Sequence, residues 1–416
     1  MATYDLDRTE LNHLMTPNVD PAVRSAVLDY VFNGMTSGAN DHDHDHDHDD
    51  KTSHVTKVEV QTGDGTAPLD SDAVVLNLTS ADNLVVTDSA LKAIVENVST
   101  DSTLFVGGTH SVFVATGNGN DLVVLSDTGN DVVMTGKGDD TVYGGFGRDS
   151  IYGGSGADLL IAGGGAHQLL EGGKGSDVIY GGSGAYDSLV GGDGADSLVA
   201  GTGAHQLLEG SKGADVMYGG SGANDSLYGG DGHDTMTAGT GAHQLLEGGK
   251  GNDVMYGGSG LSDSLYGGDG NDSITAGTGA YQLLVGGDGS DSLYGGTGVF
   301  DSILGGAGND AIHAGNGAHQ LVDGGGGNDT IWAGTGGDLL FGGAGNDTFH
   351  IDSHHGNDTV DGGSGHNVID FGTRLSTDAT FHTVGDVTTI SFKDGQSIMV
   401  THIQDVVFTD TDHKLP

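Results

Sequence analysis

The feature that most constrains this chain is the interval at which its glycines return. Between about residues 116 and 361 the sequence cuts before each glycine pair into short turns: TGKGDDTVY, GGFGRDSIY, GGSGADLLI, AGGGAHQLLE, GGKGSDVIY, GGSGAYDSLV, GGDGADSLV, and onward in the same series. From Ala162 the turns alternate between nine and ten residues, and four of them make a 38-residue unit, the step from His167 to His205 to His243. Self-similarity at so short a period points to stacked units that each pack only on their neighbours. Composition agrees: 80 of 416 residues are glycine and only 35% are apolar, which is low for one large conventional core. Glycine this frequent but without a G-x-y period is not collagen, and its regular placement argues for order over disorder.

Each turn has a glycine-rich half and a short strand half, as in GGKGN followed by DVMY. Glycine permits the positive φ that brings backbone carbonyls together. The middle residue of the strand half is apolar at Leu198, Met217, Leu227, Met236, Met255, Leu265, Ile274 and Leu293. Strand side chains alternate, so these residues face inward and their neighbours face out. Two turns then make one coil, with strands about 4.8 Å apart in two facing sheets. The fold class expected is all-β, a parallel solenoid with a core one side chain thick.

Charge supplies the next constraint. Lys and Arg total 13 against 59 Asp and Glu, a formal net charge of −46. Such a chain is no partner for nucleic acid and is disfavoured at anionic membrane surfaces. No run of 18 apolar residues exists, so no membrane span is expected. No cysteine is present, so redox chemistry does not indicate a compartment. Stacked coils would set the Asp of equivalent turns over one another, where carboxylates repel. Hard oxygen ligands at that density suit Ca²⁺, which takes 6–8 oxygens at about 2.3–2.6 Å, better than Mg²⁺ with its tighter octahedron.

The turns GGDGHDTMT, GGKGNDVMY and GGAGNDTFH match GGxGxDxUx and so resemble the nonapeptide of the RTX (repeats-in-toxin, hemolysin-type) calcium-binding proteins. The match covers about 245 of the 416 residues and recurs more than a dozen times. The resemblance implies a parallel β-roll with Ca²⁺ between a turn and the next one stacked on the same side. It also implies type I secretion through an uncleaved C-terminal signal and folding triggered by external calcium. The N-terminus MATYDLDRTELNH is not a cleavable secretory signal. On that test alone the chain is cytosolic unless it leaves by another route, which the resemblance supplies; an extracellular or cell-surface location is expected.

Alternate turns belong to opposite sides of the roll. One side carries Asp121, Asp140, Asp158, Asp177, Asp196, Asp215, Asp234, Asp253, Asp272, Asp291, Asp310, Asp329 and Asp347 without a break. The other carries Asp131, Asp149, Gln168, Asp187, Gln206, Asp225, Gln244, Asp263, Gln282, Asp301, Gln320 and Asp338. Gln offers a carbonyl oxygen but no charge. We therefore expect one full calcium row and one partial row, loaded mainly near its ends, with Asp187, Asp225, Asp263 and Asp301 as weaker ligands. The ten-residue turns carry an extra residue before the ligand position, among them His167, His205, His243, Tyr281 and His319. These His lie two coils apart, about 9.6 Å, too far to share an ion, so turn shaping or hydrogen bonding is the expected role. In the strands after these turns Leu207, Leu245, Leu283, Tyr228 and Tyr266 are expected to point outward, either as ordinary strand formers or as a lateral contact face.

Four regions are expected: 1–50, 51–115, 116–361 and 362–416. The first holds a helix over DPAVRSAVLDYVFNG, capped by Asp20, started by Pro21 and stopped by Gly34, with Val23, Val27, Tyr30 and Val31 on one face. Such a helix would cap the first coil or link rolls end to end. The run from Asp41 to Lys51 follows, in which His42, His44, His46 and His48 are candidate ligands for Zn²⁺, Cu²⁺ or Ni²⁺. A solvated acidic linker accounts for the same composition. Residues 51–115 read as a β cap through runs such as DAVVLNL and DNLVVTD. Residues 362–416 read as a second β cap with a turn at Lys393-Asp394-Gly395, and as the secretion signal the resemblance implies.

No H-E-x-x-H or G-x-S-x-G motif is present, and only about 170 residues lie outside the array, so catalysis is not expected. The leading reading is a secreted calcium-binding structural or surface protein: matrix, filament, surface layer or adhesion component, self-associating end to end or laterally. The alternatives are a calcium-dependent module of a secreted enzyme or toxin, and an ice-binding solenoid. The latter would need a regular Thr-x-Thr face, approached only at Thr235 and Thr237.

Overall fold

The computed structural model describes strands at residues 2–6, 55–61, 65–66, 73–77, 83–86 and 93–96, then residues 100–415 apart from 127 and 352–355. The helix expected at 20–34 and the His/Asp run lie outside the described residues. The described chain falls into two compact units, Met1–Ser197 and Leu198–Pro416. Both are all-β; a 3₁₀ turn at Ser376–Asp378 is the one helical element among the described residues. No helix among them is long and apolar enough to cross a membrane.

Each unit is a parallel β-solenoid with two ladders. The longer strands follow the turns of the Gln-bearing side, and three-residue strands follow the all-Asp turns. In the second unit the long strands pair in register as Leu227 with Leu246, Leu246 with Leu265, and Leu265 with Leu284. The short strands pair as Met217 with Met236, Met236 with Met255, and Met255 with Ile274. The first unit repeats the scheme, with Ile151 beside Leu170 and Leu160 beside Ile179. All of these side chains are fully buried. The expected inward residue of each strand is thus the core, and a fixed register places like on like. Leu245, Leu283, Tyr228 and Tyr266 take the alternating outward positions but are only half-exposed, because ladder neighbours one strand away cover their flanks.

In the first unit the ladders begin before the glycine repeat does. Val55–Gln61 pairs with Ala73–Asn77, that with Ala93–Glu96, and that with Phe113–Ala115, which joins Val132–Lys137. Asn83–Val86, Thr103–Val106 and Leu122–Leu125 do the same for the other ladder. Residues 51–115, expected as a β cap, therefore supply coils of the same solenoid. What a ladder requires is a run of alternating apolar residues, and AVVLN, NLVV and AIVE provide that without glycine. The first strand's other edge is taken by Ala2–Leu6, which pairs antiparallel with Val55–Gln61. This strand is not expected from the pattern of residues 1–50.

The second unit ends in antiparallel structure. Ser397–Thr401 pairs parallel with Thr359–Asp361 and antiparallel with Val387–Phe392, whose far edge holds Ala379–Val384. The turn at Lys393-Asp394-Gly395 joins two of these strands as expected. The core changes with the topology. Phe371 packs edge-on against Phe392 at 4.9 Å and stacks on Phe408 at 5.5 Å. Arg374 lies over the Phe392 ring at 3.9 Å and bridges to Asp394 at 3.0 Å. Large rings fill the volume that the next coil's aliphatic side chains would otherwise occupy.

Stacking decides where glycine is obligatory. A methyl group on Gly232 would stand 1.4 Å from the Gly213 carbonyl oxygen, whereas one on Gly326 would meet nothing within 4 Å. Gly232→Ala should therefore cost about 1–3 kcal/mol through overpacking, while Gly326→Ala should be neutral or gain about 0.4–1 kcal/mol. Thermal unfolding followed by circular dichroism in calcium checks this; equal melting temperatures for the two variants would contradict it.

Candidate metal centre

The Asp side chains of the turns fold back into the stack. Asp140, Asp158 and Asp177 in the first unit, and Asp215, Asp234, Asp253, Asp272, Asp291, Asp310, Asp329 and Asp347 in the second, are at most 2% exposed. One carboxylate oxygen of each has a fixed task. In the first unit the backbone N–H groups of Asp121, Asp140, Asp158 and Asp177 donate to Oδ1 of the Asp one coil later, at 2.7–2.8 Å. In the second unit the same bond runs from Asp215 through Asp347 at 2.7–3.0 Å. The first coils join this pattern through Ser102 N–H to Asp121 and Val112 N–H to Asp131.

The other oxygen has no such task. Oδ2 is buried without a hydrogen-bond partner at Asp140, Asp158 and Asp177, and at Asp234, Asp253, Asp272, Asp291, Asp310, Asp329 and Asp347. It overhangs the first glycine of its own turn. A methyl group on Gly229 would lie 2.4 Å from Asp234 Oδ2 and 2.5 Å from the Gly248 carbonyl oxygen of the next turn. Only glycine leaves this cradle open. A buried anionic oxygen with no donor, converging on main-chain carbonyls, is a donor set for a hard divalent cation such as Ca²⁺. Among the described residues no three His, Cys, Asp or Glu side chains cluster. An ion in these turns would be held by carboxylates and carbonyls together.

The second side keeps the ladder but changes its members. Asp131 N–H donates to Asp149 Oδ1 at 2.9 Å, and Gly145 N–H reaches Asp149 Oδ2 at 3.1 Å. The N–H groups of Gln168, Gln206, Gln244, Gln282 and Gln320 donate to Oδ1 of Asp187, Asp225, Asp263, Asp301 and Asp338 at 2.9–3.1 Å. Every inserted residue, His167, Tyr186, His205, Asn224, His243, Ser262, Tyr281, Phe300 and His319, is left-handed with φ between 60° and 65°. Outside glycine that conformation is costly. Ring stacking accompanies it: His167 on Tyr186 at 5.0 Å, Tyr281 on Phe300 at 5.5 Å, and Phe300 on His319 at 5.3 Å. The inserted residues shape the turns, as expected.

Three sets of residues escaped the sequence reading. Asp358 extends the second row, accepting Asp338 N–H at 2.9 Å. Its signal, GNDTV, was legible, but it falls 20 residues after Asp338, off the 18–19-residue beat. Asn367 closes the first row in place of an Asp, taking Asp347 N–H at 2.9 Å and donating from its own amide to the His402 carbonyl at 3.1 Å. The residue before each Asp also forms an exposed ladder: Asn271, Asn328 and Asn346 donate N–H to Oδ1 of Asn252, Asn309 and Asn328 at 2.7–2.8 Å. The recurrent Asn-Asp pair was its sign.

A family model described as the RTX calcium-binding nonapeptide repeat (four copies) matches residues 125–160, 161–185, 186–204, 209–242, 244–261, 262–283, 285–318, 323–353, 350–369 and 355–373. No curated protein matches the chain.

Burial governs the titration of these carboxyls. Desolvation, then the charge of neighbouring Asp, pushes Asp140 and Asp253 up to about 6 and Asp158, Asp291 and Asp329 to about 7, from an ordinary 3.8. Asp187, Asp225, Asp263 and Asp301 are also raised by burial, but neutral Gln neighbours add no like charge to them. Without metal, the folded state therefore binds more protons than the unfolded chain between about pH 4 and 7. This contribution to stability is fully present below the ordinary value of 3.8 and is lost as pH rises through 6 to 7. Metal-stripped protein should gain β-sheet circular dichroism when taken from pH 8 to pH 5. A loss of sheet on that acidification would refute the account.

Proposed function

This chain belongs to the RTX calcium-binding repeat family, and from that premise we propose that it is a secreted structural or surface protein whose roll folds on binding calcium. The observation that carries the reading is the row of buried, partnerless Asp Oδ2 atoms beside open glycine cradles. At a net charge of −46 the chain repels itself when expanded and still more when compact. Bound calcium supplies the positive charge that makes the compact state favourable. Low calcium inside a cell would leave the chain extended for export; millimolar calcium outside would lock the coils. Most of the chain is given to the repeat, which supports a scaffold role such as matrix, filament, surface layer or adhesion component over a catalytic one. The strand-rich C-terminal segment is the proposed export signal, and the partners proposed are calcium ions and further copies of the chain, end to end or side by side.

Circular dichroism of the full chain, titrated with calcium after chelation, should show sheet appearing with a midpoint on the order of 0.1–1 mM, the range of extracellular calcium modules. A roll that stays folded at neutral pH in excess chelator would contradict calcium-driven folding. Light scattering and electron microscopy of the calcium form should show assemblies growing with protein concentration; a strictly monomeric calcium form would remove the scaffold role and leave the calcium chemistry standing.

A further inference from the structure

On the second side, five of the ligand positions hold Gln, each about 1% exposed. A Gln there could be a weak calcium ligand through its carbonyl oxygen. The geometry points to something different: we infer that each Gln side-chain amide takes the place of a calcium ion, closing its rung with hydrogen bonds so that no metal enters. The inference rests on the reading of the Asp turns as calcium sites.

Both ends of the amide are engaged at Gln168, Gln244 and Gln282, while at Gln320 the Nε2 end is bonded and Oε1 is buried without a hydrogen-bond partner. Gln168, Gln206, Gln244 and Gln282 accept at Oε1 from the N–H of Gly163, Gly201, Gly239 and Gly277 in their own turns, at 3.0, 2.6, 2.5 and 2.7 Å. The carbonyl oxygen is thereby committed within the turn. The Nε2 end points the other way, at the Asp turn one coil earlier on the same side. From Gln168 it donates to the Gly145 and Gly147 carbonyls at 3.3 and 3.1 Å. From Gln244 it reaches the Gly220 and Gly222 carbonyls at 3.5 and 3.2 Å, from Gln282 the Gly258 carbonyl at 3.3 Å, and from Gln320 the Gly298 carbonyl at 3.3 Å.

A primary amide nitrogen carries two polarised hydrogens and no acceptor. Aimed at converging carbonyls, it presents positive partial charge to the oxygens a cation would bind. It also occupies the space, since Asp is one methylene shorter and would leave it open. The slot between each of these Asp turns and the Gln turn that follows is thus tied coil to coil without metal. Along the row from Asp234 to Asp329 no side-chain amide takes that place, and the Oδ2 atoms have no hydrogen-bond partner. Within each unit one side depends on calcium at every rung, and the other does not at its Gln rungs.

Full-length protein with Gln244→Asp and Gln282→Asp, loaded with calcium, desalted and analysed by elemental mass spectrometry, should hold about two more ions per chain than the unsubstituted protein. An unchanged count in a variant that still folds with calcium would overturn the inference. Anomalous scattering from crystals of the unsubstituted calcium form tests the same point even where the variant does not fold. Ions should lie along the row from Asp234 to Asp329 and be absent between the Asp225 and Gln244 turns. An ion between the Asp225 and Gln244 turns would overturn this inference alone; ions on neither side would overturn the calcium reading beneath it.

Discussion

Everything in these units hangs on one asymmetric hydrogen bond. Along the row from Asp234 to Asp329 the N–H of each turn Asp is spent on Oδ1 of the Asp one coil later, which fixes the carboxylate and leaves its second oxygen buried without a hydrogen-bond partner. Charges one strand spacing apart, about 4.8 Å, repel by roughly 3–4 kcal/mol at an effective dielectric of 20. A ladder of such neighbours is not self-supporting at neutral pH. The same bond that stacks the coils therefore creates the demand for protons or a divalent cation. Register, burial and ligand are one arrangement seen three ways.

The aliphatic core does not relieve that demand. One fully buried Leu, Ile or Met per strand gives a ribbon of apolar contact in which each residue touches mainly its like one coil away. Burying such a side chain contributes about 1.5–3 kcal/mol, against the ordering of a whole nine- or ten-residue turn at about 1–2 kcal/mol per residue for backbone alone. Main-chain ladders and the turn chemistry must supply the difference. This is also why the second unit closes with four phenylalanines, including Phe371, Phe392 and Phe408, and a reversal to antiparallel pairing: the last coil has no successor to cover it.

Much of this was legible before any coordinates. The inward residue of each strand, the two sides and the turn-shaping role of the inserted position all follow from a period read off the sequence. What escaped did so for identifiable reasons. The coils built by residues 55–115 lack the regular glycine repeat, and their apolar runs are too short to distinguish a stacked coil from a cap. Asp358 and Asn367 sit where the beat slips from 18 residues to 20. The Gln rungs were visible as exceptions, but the direction of an amide is a three-dimensional fact.

The uniform reach of the pairing has a consequence of its own. Through most of each unit no strand bonds to a partner more than about 20 residues away, so every coil closes a loop of the same short length, and the entropic cost of closure never grows. The exceptions are the two ends: Ala2 pairs with Val60 in the first unit, and at the end of the second Val360 pairs with Val400 and Ile369 with Val406, across 40 and 37 residues. A chain with this contact map behaves as a zipper whose teeth are identical and whose clasp is different. The clasp is made last in sequence and spans about twice the ordinary loop, which makes it the natural place for order to start or stall.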